Sequence, residues 1–140
     1  MDKGTLAVHK NIFKFDCSLD YVYDYIDSNL DSYFKKSGDN IACFIETLPD
    51  TKFAVIYENN KINGWIQYKP IEDTMVVITA YKDNKNKKGR LFSIRGWDEF
   101  KSYSKRKGCK KIRMKTARNH KIMQKLYNFK TIERVMEAQI

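Results

Sequence analysis

The apolar and polar positions of this chain fall into two periods. Residues 5–15 alternate loosely, with Leu6, Val8, Ile12, Phe13 and Phe15 as apolar positions, and predict an opening strand and its connection. From Leu19 the spacing turns helical, through Val22, Ile26, Leu30 and Tyr33. Ser18 is placed to cap this helix, with Asp20 in its first turn; Gly38, after Lys35 and Lys36, is placed to end it. Asp20, Asp24, Asp27 and Asp31 lie mostly off the apolar stripe, as on a solvated face. Tyr21, Tyr23, Tyr25 and Tyr33 are expected in core and helix-contact positions rather than on an aromatic binding surface. A second, short helix is capped by Asp39 or Asn40, has Ile41, Phe44, Ile45 and Leu48 on one face, and ends at Pro49.

From Lys52 the period is two. Residues 53–58 predict a strand, Asn59-Asn60 a turn, 62–69 a strand containing Gly64, and 74–81 a third strand after Glu72-Asp73. Short links make these an antiparallel meander. The run Met75-Val76-Val77-Ile78 is apolar on both faces, as a central strand covered by helices should be. Residues 90–107 predict a helix through Leu91, Phe92, Ile94, Trp97, Phe100 and Tyr103, although Gly96 costs it about 1 kcal/mol of propensity. Gly108 stops it, and the alternation at 110–116 predicts a strand. A short helix over 119–126, ended by Asn128 in the left-handed conformation, and a final strand over 129–138 complete the order. No repeat, linker or domain boundary interrupts it, so residues 1–140 are expected to form one domain.

Composition narrows the function classes. The three cysteines, Cys17, Cys43 and Cys109, are far apart and odd in number, which predicts free thiols in a reducing, cytoplasmic setting. His9 and His120 have no companions at ligand spacing, so no metal site is expected, and nothing resembles a hydrolase triad. No apolar run approaches the length of a membrane span, and the first ten residues do not resemble a signal peptide. The net charge of +10 is uneven: residues 1–81 carry 8 Lys and Arg against 12 Asp and Glu, residues 82–130 carry 18 against 3. That asymmetry points to an anionic partner for the second half. The abundance of Lys, Asn, Ile and Tyr also fits an AT-rich genome, which accounts for part of the lysine count.

The basic character begins in residues 81–91, Tyr-Lys-Asp-Asn-Lys-Asn-Lys-Lys-Gly-Arg-Leu. This stretch follows an apolar strand and opens a helix. A strand, a basic loop and a helix N-terminus form the arrangement that binds phosphate, through free backbone N–H groups and the positive end of the helix dipole. A charged surface loop has the same composition, so the flanking elements decide the reading.

Those elements resemble the GNAT superfamily of acyl-CoA-dependent N-acyltransferases, well over residues 50–135 and by element order alone before that. The segment Lys61-Ile62-Asn63-Gly64-Trp65-Ile66 resembles the family's third strand. Members place a Gln or Arg, two residues, Gly, one residue, then Gly or Ala, five residues after a strand-end valine; here Tyr81 is at the valine position and Asn86-Lys87-Lys88-Gly89-Arg90-Leu91 falls on the loop. The segment Lys107-Gly108-Cys109-Lys110-Lys111-Ile112-Arg113-Met114 resembles the family's helix stop and fifth strand, and Asn119 and Asn128-Phe129 its later motif.

The resemblance implies an α/β (α+β) fold with a mixed, mainly antiparallel central sheet and helices on both faces. It implies acetyl-CoA as acyl donor, with the pyrophosphate held by the backbone around Asn86, Lys87, Lys88, Gly89, Arg90 and Leu91. The pantetheine arm would lie along Val77, Ile78, Thr79 and Tyr81, with Asn119 near the cofactor. It implies direct attack by an amine acceptor on the thioester. The chain departs from the pattern at Asn86 and at Leu91, where the family has Gln or Arg and Gly or Ala. The family's catalytic tyrosine falls at Leu126 counting from Asn119, or at Gln124 counting back from Phe129; Tyr127, one residue beyond the first count, is the candidate. Glu72, Asp73 and Asp83 are the carboxylates considered as general base, and none stands out. The alternative is a catalytically inactive GNAT-like module, of the small divergent kind carried by phages and located in host cytoplasm or virion. Its basic second half would bind nucleic acid or an acidic protein.

Overall fold

In the computed structural model, the residues described are 12–83, 94–115, 129–132 and 135–140. They form strand β1 (Phe13–Cys17), helices α1 (Leu19–Ser37) and α2 (Ile41–Glu46), and strands β2 (Lys52–Glu58), β3 (Lys61–Ile71) and β4 (Thr74–Lys82). Helix α3 (Ile94–Arg106) and strands β5 (Lys111–Lys115), β6 (Phe129–Ile132) and β7 (Val135–Gln139) follow. The seven strands make one sheet in the order β1-β2-β3-β4-β5-β7-β6. All neighbouring pairs are antiparallel except β4 with β5.

Local chemistry sets the boundaries. Ser18 caps α1, its hydroxyl accepting the Tyr21 amide, and Gly38 at φ 75° closes the helix with its N–H on the Phe34 carbonyl. Asn40 caps α2 by accepting the Cys43 amide. Helix α2 ends at Glu46, before Pro49, because Thr47 turns its hydroxyl onto the Phe44 carbonyl. Asn59 and Asn60 both take positive φ, the twist that a two-residue β2–β3 hairpin needs.

The sheet is buried on both faces. Helix α3 covers one face, where Ile56, Ile66, Tyr68, Met75, Phe100 and Ile112 share a core. Helices α1 and α2 cover the other, over Val22, Ile26, Phe53, Val55, Trp65 and Tyr81. Strand β2 contributes to both, Phe53 and Val55 to one core and Ala54 and Ile56 to the other, which explains its unbroken apolar run.

Three expectations need correction. Tyr33 is buried and Tyr25 half-buried, but Tyr21 and Tyr23 are exposed. Tyr21 instead meets the Tyr57 hydroxyl and lies under the Lys14 ammonium, 4.1 Å from its ring centroid. The apolar face of α2 is only half used: Phe44 is buried and Ile41 and Ile45 are exposed, because six residues give little more than one turn to dock. The single strand expected over 129–138 is two strands. The pair Ile132↔Val135 leaves two residues between them, and β7, not β6, lies beside β5.

Candidate functional site

Strand β4 carries the site. Its ladder with β5 runs from Thr74↔Lys111 to Val77↔Met114 and stops. β4 continues to Lys82, so among the described residues it has no strand partner on that edge from Ile78 onward. Alternate residues there turn their backbone N–H and C=O groups toward that edge, the part of a sheet that recruits an extended ligand. On the other edge β3 pairs with Thr79, Ala80, Tyr81 and Lys82, but the register jumps between Tyr68↔Val77 and Gln67↔Thr79. Ile78 is thus the extra residue of a β-bulge, which turns the strand where its β5 pairing ends.

The end of β4 is held from beneath. A Cβ on Gly64 would collide with the Tyr81 carbonyl oxygen and stand 3.0 Å from Lys82 Cα, so only glycine lets β3 approach here. The Asp83 amide donates to the Asn63 carbonyl at 2.9 Å. Asn63 is itself the extra residue of a β3 bulge, between Ile56↔Gly64 and Tyr57↔Ile62.

A buried polar network fixes Thr79. Trp65 Nε1 donates to Thr79 Oγ1 at 3.1 Å, and Thr79 Oγ1 donates to Gln67 Oε1 at 2.8 Å. Gln67 Nε2 reaches the Thr47 carbonyl at 3.1 Å and Thr51 Oγ1 at 3.0 Å. Every member is satisfied, so the network ties β4 to the segment after α2 without the penalty of an unpaired buried group. Sequence reasoning missed it; its one visible trace is Gln67, a lone polar residue among Trp65, Ile66 and Tyr68.

On the α1 side Tyr81 stacks on Trp65 at 5.0 Å, with Lys36 Nζ 4.9 Å from its centroid. The Tyr81 hydroxyl reaches Asn29 Oδ1 at 3.4 Å. Tyr25 packs edge-on to Trp65 with its hydroxyl buried, and that oxygen has no hydrogen-bond partner among the described residues. Burial pushes its pKa well up, with the charges of Tyr81 and Asp83 adding to the effect.

Of the expected site residues, Val77, Ile78, Thr79 and Tyr81 come together at this bulge. Val77, Thr79 and Tyr81 are buried, so these three offer a ligand their backbone rather than their side chains. Asn86, Lys87, Lys88, Gly89, Arg90, Leu91, Asn119 and Tyr127 lie outside the described residues. Glu72 and Asp73 form the β3–β4 turn, at the far end of β4, roughly 25 Å of strand from Lys82. The Asp73 carbonyl accepts the amides of Lys110 and Lys111 there, at 2.7 and 3.3 Å. Ile78 is five residues from Asp73 and five from Asp83, so position along the strand does not separate these carboxylates as bases for chemistry at the bulge. Among the described residues no group of three His, Cys, Asp or Glu is placed to hold a metal, and no helix is long and apolar enough to cross a membrane.

No protein-family model matches the sequence, and no curated protein matches it by sequence. Solved structures do match by shape. Gcn5 of Tetrahymena superposes with a TM-score of 0.65 at 15% identity, over 91% of this chain and 96% of that one. The PaiA N-acetyltransferase of Thermoplasma acidophilum, solved with coenzyme A, gives 0.59 at 15% identity over 91% and 99%. A Bacillus subtilis acetyltransferase, also with coenzyme A, gives 0.60 at 10% identity over 91% and 97%. With its mixed sheet, its parallel β4–β5 pair that parts after Val77, and these superpositions, the chain has the fold of the GNAT acetyltransferases.

Proposed function

We propose that the chain is an N-acetyltransferase that takes an acetyl group from acetyl-CoA and delivers it to an amine. The observation that carries this reading is the open β4 edge from Ile78 to Lys82, beginning at a bulge where the β5 ladder stops. An extended arm bearing amides, such as pantetheine, fits that edge as an added strand would. Coenzyme A in the PaiA and Bacillus structures supports the choice of donor.

The bound donor supplies an activated thioester: the amine nitrogen forms a bond to its carbonyl carbon, the carbon–sulfur bond breaks, the nitrogen loses a proton and the departing sulfur gains one. The chain's own residues have three tasks. The backbone of Ile78 to Lys82 orients the arm, and the Thr79–Gln67–Trp65 network keeps that backbone from shifting. Residues 84–91, with Lys85, Lys87, Lys88 and Arg90, supply positive charge for the phosphates, and Gly89 lets backbone approach them. Tyr127 is assigned to protonate the sulfur, and none of Glu72, Asp73 and Asp83 stands out as the group that takes the proton from the amine.

Calorimetric titration with acetyl-CoA tests the reading. Saturable micromolar binding, abolished by Gly89→Trp, is the expected result, followed by an amine screen in which Tyr127→Phe lowers turnover at least tenfold. Absence of binding, or weak binding that moderate salt removes equally from both proteins, would leave the fold without this chemistry.

A further inference from the structure

The cations of the second half are not all near the site just described. Residues 105–111 read Lys-Arg-Lys-Gly-Cys-Lys-Lys, five basic residues in seven and no acidic one. Strands β4 and β5 are parallel and start together at Thr74↔Lys111, and α3 reaches its last residue, Arg106, just before β5 begins. The cluster therefore sits where β4 starts, four residues before the bulge at Ile78 and at the opposite end of the strand from Lys82 and the basic segment that follows it. It is out of reach of the donor's phosphates and needs another explanation.

Two structural uses account for part of it. Lys105 and Arg106 complement the negative end of the α3 dipole, which one cation would satisfy. Lys107 lies 3.6 Å from Asp16 and over the Tyr103 ring. Lys105, Arg106 and Lys110 are exposed, with no ion pair among the described residues; Arg106 has only a ring contact with Tyr103. The turn that carries them is firmly built. Gly108, at φ 83°, donates to the Lys105 carbonyl at 2.9 Å, and the Cys109 amide to Ser104 at 3.0 Å. The Lys110 amide bonds the Asp73 carbonyl at 2.7 Å and its carbonyl accepts the Ile140 amide at 3.0 Å. Backbone held on both sides presents the charges without a backbone-ordering cost on binding.

We propose that this turn is a phosphate-backbone contact surface for nucleic acid, bound without regard to base sequence. Charge complementarity selects the occupant. Protein interfaces are anchored by buried apolar and aromatic side chains, and this cluster exposes none. Among the described residues the large exposed apolar side chains lie on α1 and α2, except for a single one, Ile71, at the β3–β4 turn beside the cluster. Phosphate contacts need only cations at fixed positions. The proposal stands independently of the acetyltransferase reading.

The test is fluorescence anisotropy with a labelled 20-base-pair duplex of mixed sequence, from 50 to 200 mM salt. It compares wild type with the triple variant Lys105→Gln/Arg106→Gln/Lys110→Gln and with a charge-matched control, Lys35→Gln/Lys52→Gln/Lys61→Gln. Three lost phosphate contacts lower the slope of log affinity against log salt by about 2.7. Wild type should therefore lose about 40-fold more affinity than the first variant over that range, and the control should follow wild type. Protection of Lys105 and Lys110 from amine acylation by the duplex, in the unaltered protein, gives the same answer without a variant. Equal slopes for the two triple variants, no protection, or tighter binding of a poly-glutamate peptide than of the duplex at the same turn would each overturn the proposal.

Discussion

Asp16 is the extra residue of a β1 bulge and holds φ at 59°, a conformation that aspartate tolerates better than most side chains. Its carboxylate accepts the hydroxyls of Tyr68 and Tyr103 and faces Lys107, joining β1, β3 and α3. Burial pushes this carboxyl up, but the two hydroxyls and the lysine outweigh it, and its pKa lies below the ordinary value of 3.8. A depressed folded pKa stabilises the protein above the unfolded value, and that contribution fades as pH falls through the folded one. Asp16→Asn should therefore lower the urea midpoint at pH 7, and the gap to wild type should close once pH drops well below 3.8. Tyr25 predicts the opposite sign. Its buried hydroxyl has no partner among the described residues, and a buried unsatisfied group costs about 1–3 kcal/mol, so Tyr25→Phe should stabilise by about 1 kcal/mol in denaturant titration.

Among the elements, α1 was the most legible in the sequence, because Ser18, the apolar spacing and Gly38 each specify one feature and all agree. Ser18→Ala should cost about 1 kcal/mol, seen as a lower thermal midpoint. The β2–β3–β4 meander was legible for the same reason, its turns being marked by Asn59-Asn60 and Glu72-Asp73. The division of 129–138 into β6 and β7 was not: Glu133-Arg134 carries neither the glycine nor the asparagine that marks a tight hairpin, so the apolar run read as continuous. The bulge at Ile78 was also invisible, since a register jump follows from how β3 and β4 twist against each other rather than from the alternation along either strand. Gly64 was read as a family feature; the structure supplies its cause, the close passage of Tyr81 and Lys82. Gly64→Ala should destabilise by about 1–3 kcal/mol by overpacking. It should also weaken acetyl-CoA binding, measured by calorimetry, because the displaced backbone is the open edge itself.

For the whole molecule, ten of the eighteen cations that make residues 82–130 basic gather at two places. One is the basic segment that follows β4; the other is the turn where β5 begins. Sequence alone merged them, because residues 82–130 are continuous in the chain and only the parallel β4–β5 pairing shows that the ends are apart. A ligand shorter than the strand and held at the β5 turn shares no contacts with one at the far end of β4, so a single-stranded tetranucleotide should change acetyl-CoA affinity by less than twofold in a calorimetric competition at fixed salt. A larger change would mean that one site serves both.

The strand order has a consequence for synthesis. Strand β5 bonds to β7, and β6 reaches the sheet only through β7. While the polypeptide is being made, every strand from β1 to β5 can find its neighbour as it emerges, but the outer edge of β5 must wait for Val135–Gln139. Through that interval the nascent chain carries an unpaired strand edge beside the buried residues Ile112 and Met114, the kind of surface that other chains or chaperones engage. A chain arrested after residue 134 should therefore be aggregation-prone even though the meander and both helical layers over it are already complete.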